Sequence, residues 1–120
     1  MKRPMVALLV NPESRIREGI LEGTITASVR EGHRDYRRGD ILVLFCPWVV
    51  WSVLADIVEV RHVKLADLRS EECHAAGYPS LGRLFEGLRI VYPNITLSSS
   101  VTVIRWENVR GTLVDAHRGR

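Results

Sequence analysis

Lysine is nearly absent from this chain: Lys2 and Lys64 stand against fifteen arginines. Arginine presents a planar fork of donors suited to phosphate and to the faces of bases, but a GC-rich genome produces the same bias, so both readings stay open. Cysteine is scarce too. Cys46 and Cys73 lie on segments of different predicted type, which is not the pattern of a secreted disulfide scaffold. No apolar run approaches the roughly 18 residues of a membrane helix. The stretch after Met1-Lys2-Arg3-Pro4 is too short for a signal peptide, so a soluble, cytoplasmic protein with no membrane partner is expected. Walker loops, G-x-G-x-x-G and H-E-x-x-H are all missing. His33, His62, His74 and His117 have no metal-ligand spacing among themselves or with the cysteines, so neither metal nor cofactor is expected. Cys73 and His74 are neighbours on a predicted helix and cannot face each other, which removes a Cys/His hydrolase.

What is present is ordinary in amount and unusual in arrangement. A chain of 120 residues, 46% hydrophobic and 26% charged, is long enough for one domain with a real core and is not a disordered sequence. Net charge is a mild +3 and leans only slightly toward acidic partners. Residues 1–110 read as one domain, and 111–120 as a short polar C-terminal tail that frays.

In chain order, Met5 to Val10 predicts a buried first strand, and Asn11-Pro12-Glu13 a helix start with Asn as cap and Pro in the first turn. That helix ends at Gly23. Next comes strict alternation: Thr24, Thr26, Ser28 and Arg30 on one face, Ile25, Ala27 and Val29 on the other. The polar face holds three hydroxyls and a guanidinium with no carboxylate to repel an anion. A loop follows with Arg34, Arg37 and Arg38. Asp40 to Cys46 is apolar enough for a central strand, Cys46-Pro47-Trp48 turns, and Val49 to Val60 returns as a long strand with a bend near Asp56. Lys64 to Leu68 predicts a helical turn, Ser70-Glu71-Glu72 a short helix ending at Gly77, and Ser80 caps a helix carrying Leu81, Leu84, Phe85 and Leu88. Ser98 to Trp106 is the closing strand, with Val101, Val103 and Arg105 alternating against Thr102, Ile104 and Trp106. This order is not a βαβ series. It predicts an α+β, mainly β fold: a small barrel, closed or nearly so, with short helices on its flank and with Leu42, Leu44, Val53, Val103 and Ile104 buried.

Ile20-Leu21-Glu22-Gly23, the row Thr24 to Arg30, Gly39-Asp40-Ile41-Leu42, the Tyr92-Pro93 pair and Val101 to Trp106 follow one another at spacings that resemble the ASCH domain, a member of the PUA-like barrel group. The resemblance spans about residues 12–107. It implies a small PUA-like β-barrel with a positively charged cleft suited to RNA or a nucleotide. The family strand is roughly G-x-K-T-x-T-x-R, and here Thr26, Ser28 and Arg30 match while Ile25 stands where the lysine is. In the family's acetylcytidine amidohydrolases that lysine is catalytic, together with the second hydroxyl and a helical glutamate, whose place here is taken by Ala76.

The resulting expectation is a non-catalytic RNA- or nucleotide-binding domain with no catalytic residues. Its binding residues are Thr24, Thr26, Ser28, Arg30, Arg37, Arg38 and Trp48, the indole stacking on a base or else plugging the barrel end. Arg30 has two readings, a phosphate clamp or an ion pair to Asp40 or Asp56. An amidohydrolase on acylated cytidine or a ribonuclease, using relocated residues such as Ser28, Glu72 or His74, is the alternative, and a protein-interaction module with a vestigial cleft is a third.

Overall fold

The structure, a computed structural model, describes residues 3–11 and 13–111. The predicted first-turn Pro12 and the tail from residue 112 lie outside them. Five strands form one sheet in the order β1-β3-β4-β5-β2: β1 is Met5–Leu9, β2 Ala27–Glu31, β3 Ile41–Cys46, β4 Trp51–Lys64 and β5 Ser100–Gly111. Only β1 and β3 pair in parallel; the other three pairings are antiparallel. The result is a half-barrel. Its two edges, β1 and β2, do not pair with each other, so the expected small barrel has an open seam between them.

Helix α1 (Ser14–Glu22) begins later than the sequence predicts, because the Asn11 side chain spends its oxygen on the Glu13 N–H (2.8 Å) and so makes a turn instead of capping a helix. It ends at Gly23, whose φ of 86° is a left-handed conformation that glycine adopts without a steric penalty. A single 3₁₀ turn (Leu65–Asp67), α2 (Ser70–Ala75) and α3 (Leu81–Val91) fill the interval between β4 and β5. Ser80 caps α3 by accepting the Arg83 N–H at 3.2 Å, and β4 shifts register around Asp56, both as predicted.

Alternation along the strands builds two cores. Leu42, Leu44, Val53, Ile57, Ile104 and Trp106 point inward and pack on Ile16 and Ile20 of α1. Val29, Val101 and Val103 point to the other face and pack on Cys73, Leu84 and Leu88 of α2 and α3. The five residues predicted to be buried are at most 2% exposed. β5 is covered on both faces, so the four consecutive residues Val101 to Ile104, Thr102 included, are all buried. β1 departs from expectation. It is an edge strand with Met5, Ala7 and Leu9 exposed, because its outer face has no layer packed against it. Both cysteines are free and buried.

Candidate functional site

The polar row acquires its setting from the pairing of β2 with β5. Ser28 opposes Ile104 and Arg30 opposes Thr102, and directly opposed residues of an antiparallel pair share a face. Ser28 and Arg30 therefore look into the half-barrel beside Ile104 and Trp106. Arg30 crosses the open seam, its Nη2 donating to the Leu9 carbonyl at the end of β1. Tyr36 makes a second bridge, its hydroxyl donating to the Ala7 carbonyl at 2.8 Å. Side chains, not strand pairing, hold the seam together. Neither Asp40 nor Asp56 receives Arg30: Asp56 is taken by Arg3 at 2.8 Å and Arg110 at 3.1 Å, with Asn108 donating to its other oxygen at 2.9 Å.

A cavity of about 90 Å³ runs along the free edge of β2, between the end of β1 with α1 on one side and α2 with α3 on the other. Its polar lining is Asn11, Ser28, Arg30, Tyr78, Tyr92 and Trp106, and its wall contains no carboxylate. Two buried donors there, Arg30 Nε and Trp106 Nε1, have no hydrogen-bond partner among the described residues.

The rest of the predicted row is elsewhere. Thr24 is exposed and its hydroxyl donates to the Gly19 carbonyl at 3.3 Å, closing α1. Thr26 is half-buried, with its backbone bonded to Ala75 and Trp106, and it does not line the cavity. Arg37 lies on the exposed loop after β2, 3.6 Å from Asp35, and Arg38 is exposed on the same loop. Arg34 is turned back onto the Glu31 carbonyl at 2.8 Å. Trp48 is no plug, being 76% exposed in the β3–β4 turn. The end of β3 that leads into that turn lies beside two residues of the cavity wall, Cys46 Sγ being 3.8 and 3.9 Å from the carbonyls of Val10 and Asn11.

Ile25 is placed differently from simple alternation. The ladder starts only at Ala27, and the chain leaves α1 with the Thr24 and Ile25 N–H groups both on the Gly19 carbonyl. Ile25 consequently packs with Ile16, Ile20 and Trp106 in the first core and lines the same cavity as Ser28. Its tip rests against bare backbone: a Cβ on Gly19 would lie 2.6 Å, and one on Gly77 2.9 Å, from Ile25 Cδ1. Ala76 lines the cavity as well. Both positions that the resemblance assigns to proton transfer thus border Ser28's cavity, and both are apolar.

The relocated alternatives do not reach it. Glu72 is fully buried in an ion pair with Arg61, which donates through Nε at 2.7 Å and Nη2 at 3.0 Å, and it also accepts the Arg69 N–H at 2.8 Å. Burial pushes its carboxyl up, but these hydrogen bonds and the charges of Arg61 and Arg69 outweigh that and hold it below the usual range. His74 is exposed, its Nε2 3.1 Å from the Pro79 carbonyl.

Two features gave no signal in the sequence. Tyr78 and Tyr92 read only as residues near helix ends, yet both face the cavity. His33 and His62 stack with ring centroids 3.7 Å apart. The Thr102 hydroxyl donates to the Gly32 carbonyl and accepts the Arg34 N–H, which leaves His62 Nδ1 (3.1 Å) to donate to it. Burial, then the neighbouring His33, push the His62 pKa down against the pull of Asp35.

No protein-family model matches the chain, and no curated protein matches it. Solved structures do. An ASCH domain from Lactobacillus crispatus JV V101 superposes with a TM-score of 0.71 at 14% identity, covering 87% of this chain and 79% of that one. The chain has the ASCH-domain fold. An ASCH protein from Zymomonas mobilis gives 0.66 at 13% identity over 89% of this chain and 69% of its own. A protein from Enterococcus faecalis V583 gives 0.64 at 13%, over 89% and 80%. At such identities the ASCH fold is what is shared, and the chemistry has to be read from this chain's own cavity. No helix among the described residues is long and apolar enough to cross a membrane.

Proposed function

We propose that this ASCH-fold domain binds RNA or a nucleotide at the β1–β2 seam and catalyses no reaction there. The observation that carries the reading is the composition of the cavity wall. Ser28 and Arg30 face it, no carboxylate does, and Ile25 and Ala76 occupy the positions where a base and an acid are implied by the resemblance. A serine hydroxyl without a neighbouring base is a poor nucleophile at neutral pH, whereas hydroxyl and guanidinium together suit phosphate and sugar oxygens. Outside the cavity, exposed Trp48 offers a face for stacking, and Arg37 and Arg38 lie on the loop that leaves β2 just after Arg30.

Binding of a fluorescently labelled single-stranded RNA, followed by anisotropy across a salt series, tests this. Each phosphate contact on a single strand contributes a log–log slope of roughly −0.7, so three or four arginine contacts give about −2 to −3. Arg30→Gln lowers affinity and flattens the slope by about 0.7. RNA binding that ignores both salt and Arg30→Gln defeats the reading.

A further inference from the structure

We propose that the cavity beside Ser28 is an oxyanion pocket, seating one small, singly charged oxygen group, a carboxylate or a phosphodiester, that donor hydrogens of Arg30 and Trp106 bind. The inference rests on the nucleotide-binding reading for the molecule that carries the group, but not for the group itself.

Buried polar atoms almost always have a partner, and a donor without one is costly to leave. Among the described residues the buried side-chain atoms without a partner are Arg30 Nε and Trp106 Nε1, and both side chains line this one cavity. Trp106 is 3% exposed, so bulk water does not satisfy its indole. Both atoms can only donate, so what each lacks is an acceptor. The remaining polar side chains of the wall, Asn11, Ser28, Tyr78 and Tyr92, can also donate, and none is negatively charged.

Charge and size narrow the occupant. Arg30 gives Nη2 to the Leu9 carbonyl, a neutral acceptor, and has no carboxylate partner among the described residues. Arg30 is half-buried and, among the described residues, is the one cation in the cavity wall, so a single negative charge is enough to pair it. About 90 Å³ is far below the roughly 300 Å³ at which pockets for drug-sized ligands begin. Its enclosed part suits a group of a few heavy atoms better than a whole nucleoside. Waters would meet the donors less well than an anion, because a hydrogen bond to a charged acceptor is the stronger one. The group therefore enters alone while its carrier stays on the seam outside.

The test uses ¹⁵N-labelled wild-type protein. Its three tryptophans give three indole N–H signals, assigned with Trp48→Phe and Trp51→Phe. Sodium acetate, sodium dimethyl phosphate and the neutral acetamide are titrated separately at constant ionic strength. The Trp106 indole signal is expected to move downfield and saturate with at least one anion while Trp48 and Trp51 stay in place. Acetamide should bind at least about tenfold more weakly, and Arg30→Gln should lower anion affinity by about the same factor. The anion that saturates at the lower concentration tells carboxylate from phosphodiester. A Trp106 signal unmoved by either anion up to about 100 mM, or acetamide binding as tightly as acetate, overturns the pocket. Salt-sensitive RNA binding with an unmoved Trp106 signal overturns the pocket alone; anion saturation without RNA binding overturns the RNA reading alone.

Discussion

Replacing Arg61 with alanine leaves the Glu72 carboxylate with the Arg69 N–H and no bidentate cation. The Glu72 side chain has 0% exposure and Arg61 21%, so water cannot take over on the carboxylate side. Breaking a buried ion pair from one side costs about 3–5 kcal/mol, and the partial exposure of Arg61 places this one near the lower end, about 3 kcal/mol. Against a total stability of roughly 5–15 kcal/mol that is a large fraction. With an unfolding entropy of about 2.1 cal/mol/K per residue over the chain, it corresponds to a fall in Tm of roughly 12 °C. The pH dependence separates lost charge pairing from lost packing. In the natural protein the folded carboxyl lies below its ordinary value of 4.5, so its contribution is complete above that pH and is lost as pH falls through the folded value. In the variant, burial without Arg61 raises the carboxyl instead, and the penalty is relieved as acid neutralises it. The stability gap between the two proteins should thus be widest at neutral pH and narrow in acid, read from urea unfolding at pH 7 and near pH 4. A gap below about 1 kcal/mol at pH 7, or one equal at both pH values, would refute the ion-pair account.

Asp56 carries a second acid-sensitive contribution. The Asn108 hydrogen bond, opposed by desolvation and reinforced by Arg3 and Arg110, lowers it from 3.8 to about 2. Because its folded value is depressed, the stabilisation is present above 3.8 and disappears toward pH 2. After discounting for exposed Arg3 it is worth about 1–2 kcal/mol, and Asp56→Asn should remove it at pH 7 and flatten the acid limb of a circular-dichroism titration. An acid limb unchanged by Asp56→Asn counts against this. Gly77→Ala combines a φ of 94° with a new methyl 2.9 Å from Ile25 Cδ1, and should cost about 1–3 kcal/mol in urea unfolding; a neutral effect would mean the chain relaxes there. The natural protein should not hydrolyse acetylcytidine. Ile25→Lys with Ala76→Glu, assayed by chromatography of the released cytidine, is expected to yield weak turnover that neither single change gives. Robust hydrolysis by the natural chain, abolished by Ser28→Ala, would overturn the non-catalytic reading.

Period and punctuation along the chain are enough to locate most of its elements. The alternation from Thr24 to Arg30, the apolar run of β3, Ser80 ahead of Leu81 and Gly23 at the end of α1 are local signals, and each acts through neighbours a few residues away. The ASCH-like order of pieces is legible for the same reason. What only the tertiary structure decided depends on which elements meet across the sheet. Alternation separates Ser28 from Val29 but cannot say which side is the barrel interior; pairing with Ile104 does that. It puts Ile25 on the face of Val29, whereas with the late start of β2 Ile25 packs in the first core beside Ile104 and Trp106 and Val29 in the second. Glu72 reads as a first-turn acid of a short helix and as a candidate relocated catalytic group until Arg61, eleven residues earlier on β4, is laid over it. Arg30 has carboxylates as its natural partners in the sequence, yet it meets the Leu9 carbonyl because β1 and β2, successive in the chain, are placed at the two opposite edges of an unclosed sheet. Period and capping are written within one turn or one pleat of the backbone; the partner across a seam is chosen by the packing of the whole sheet.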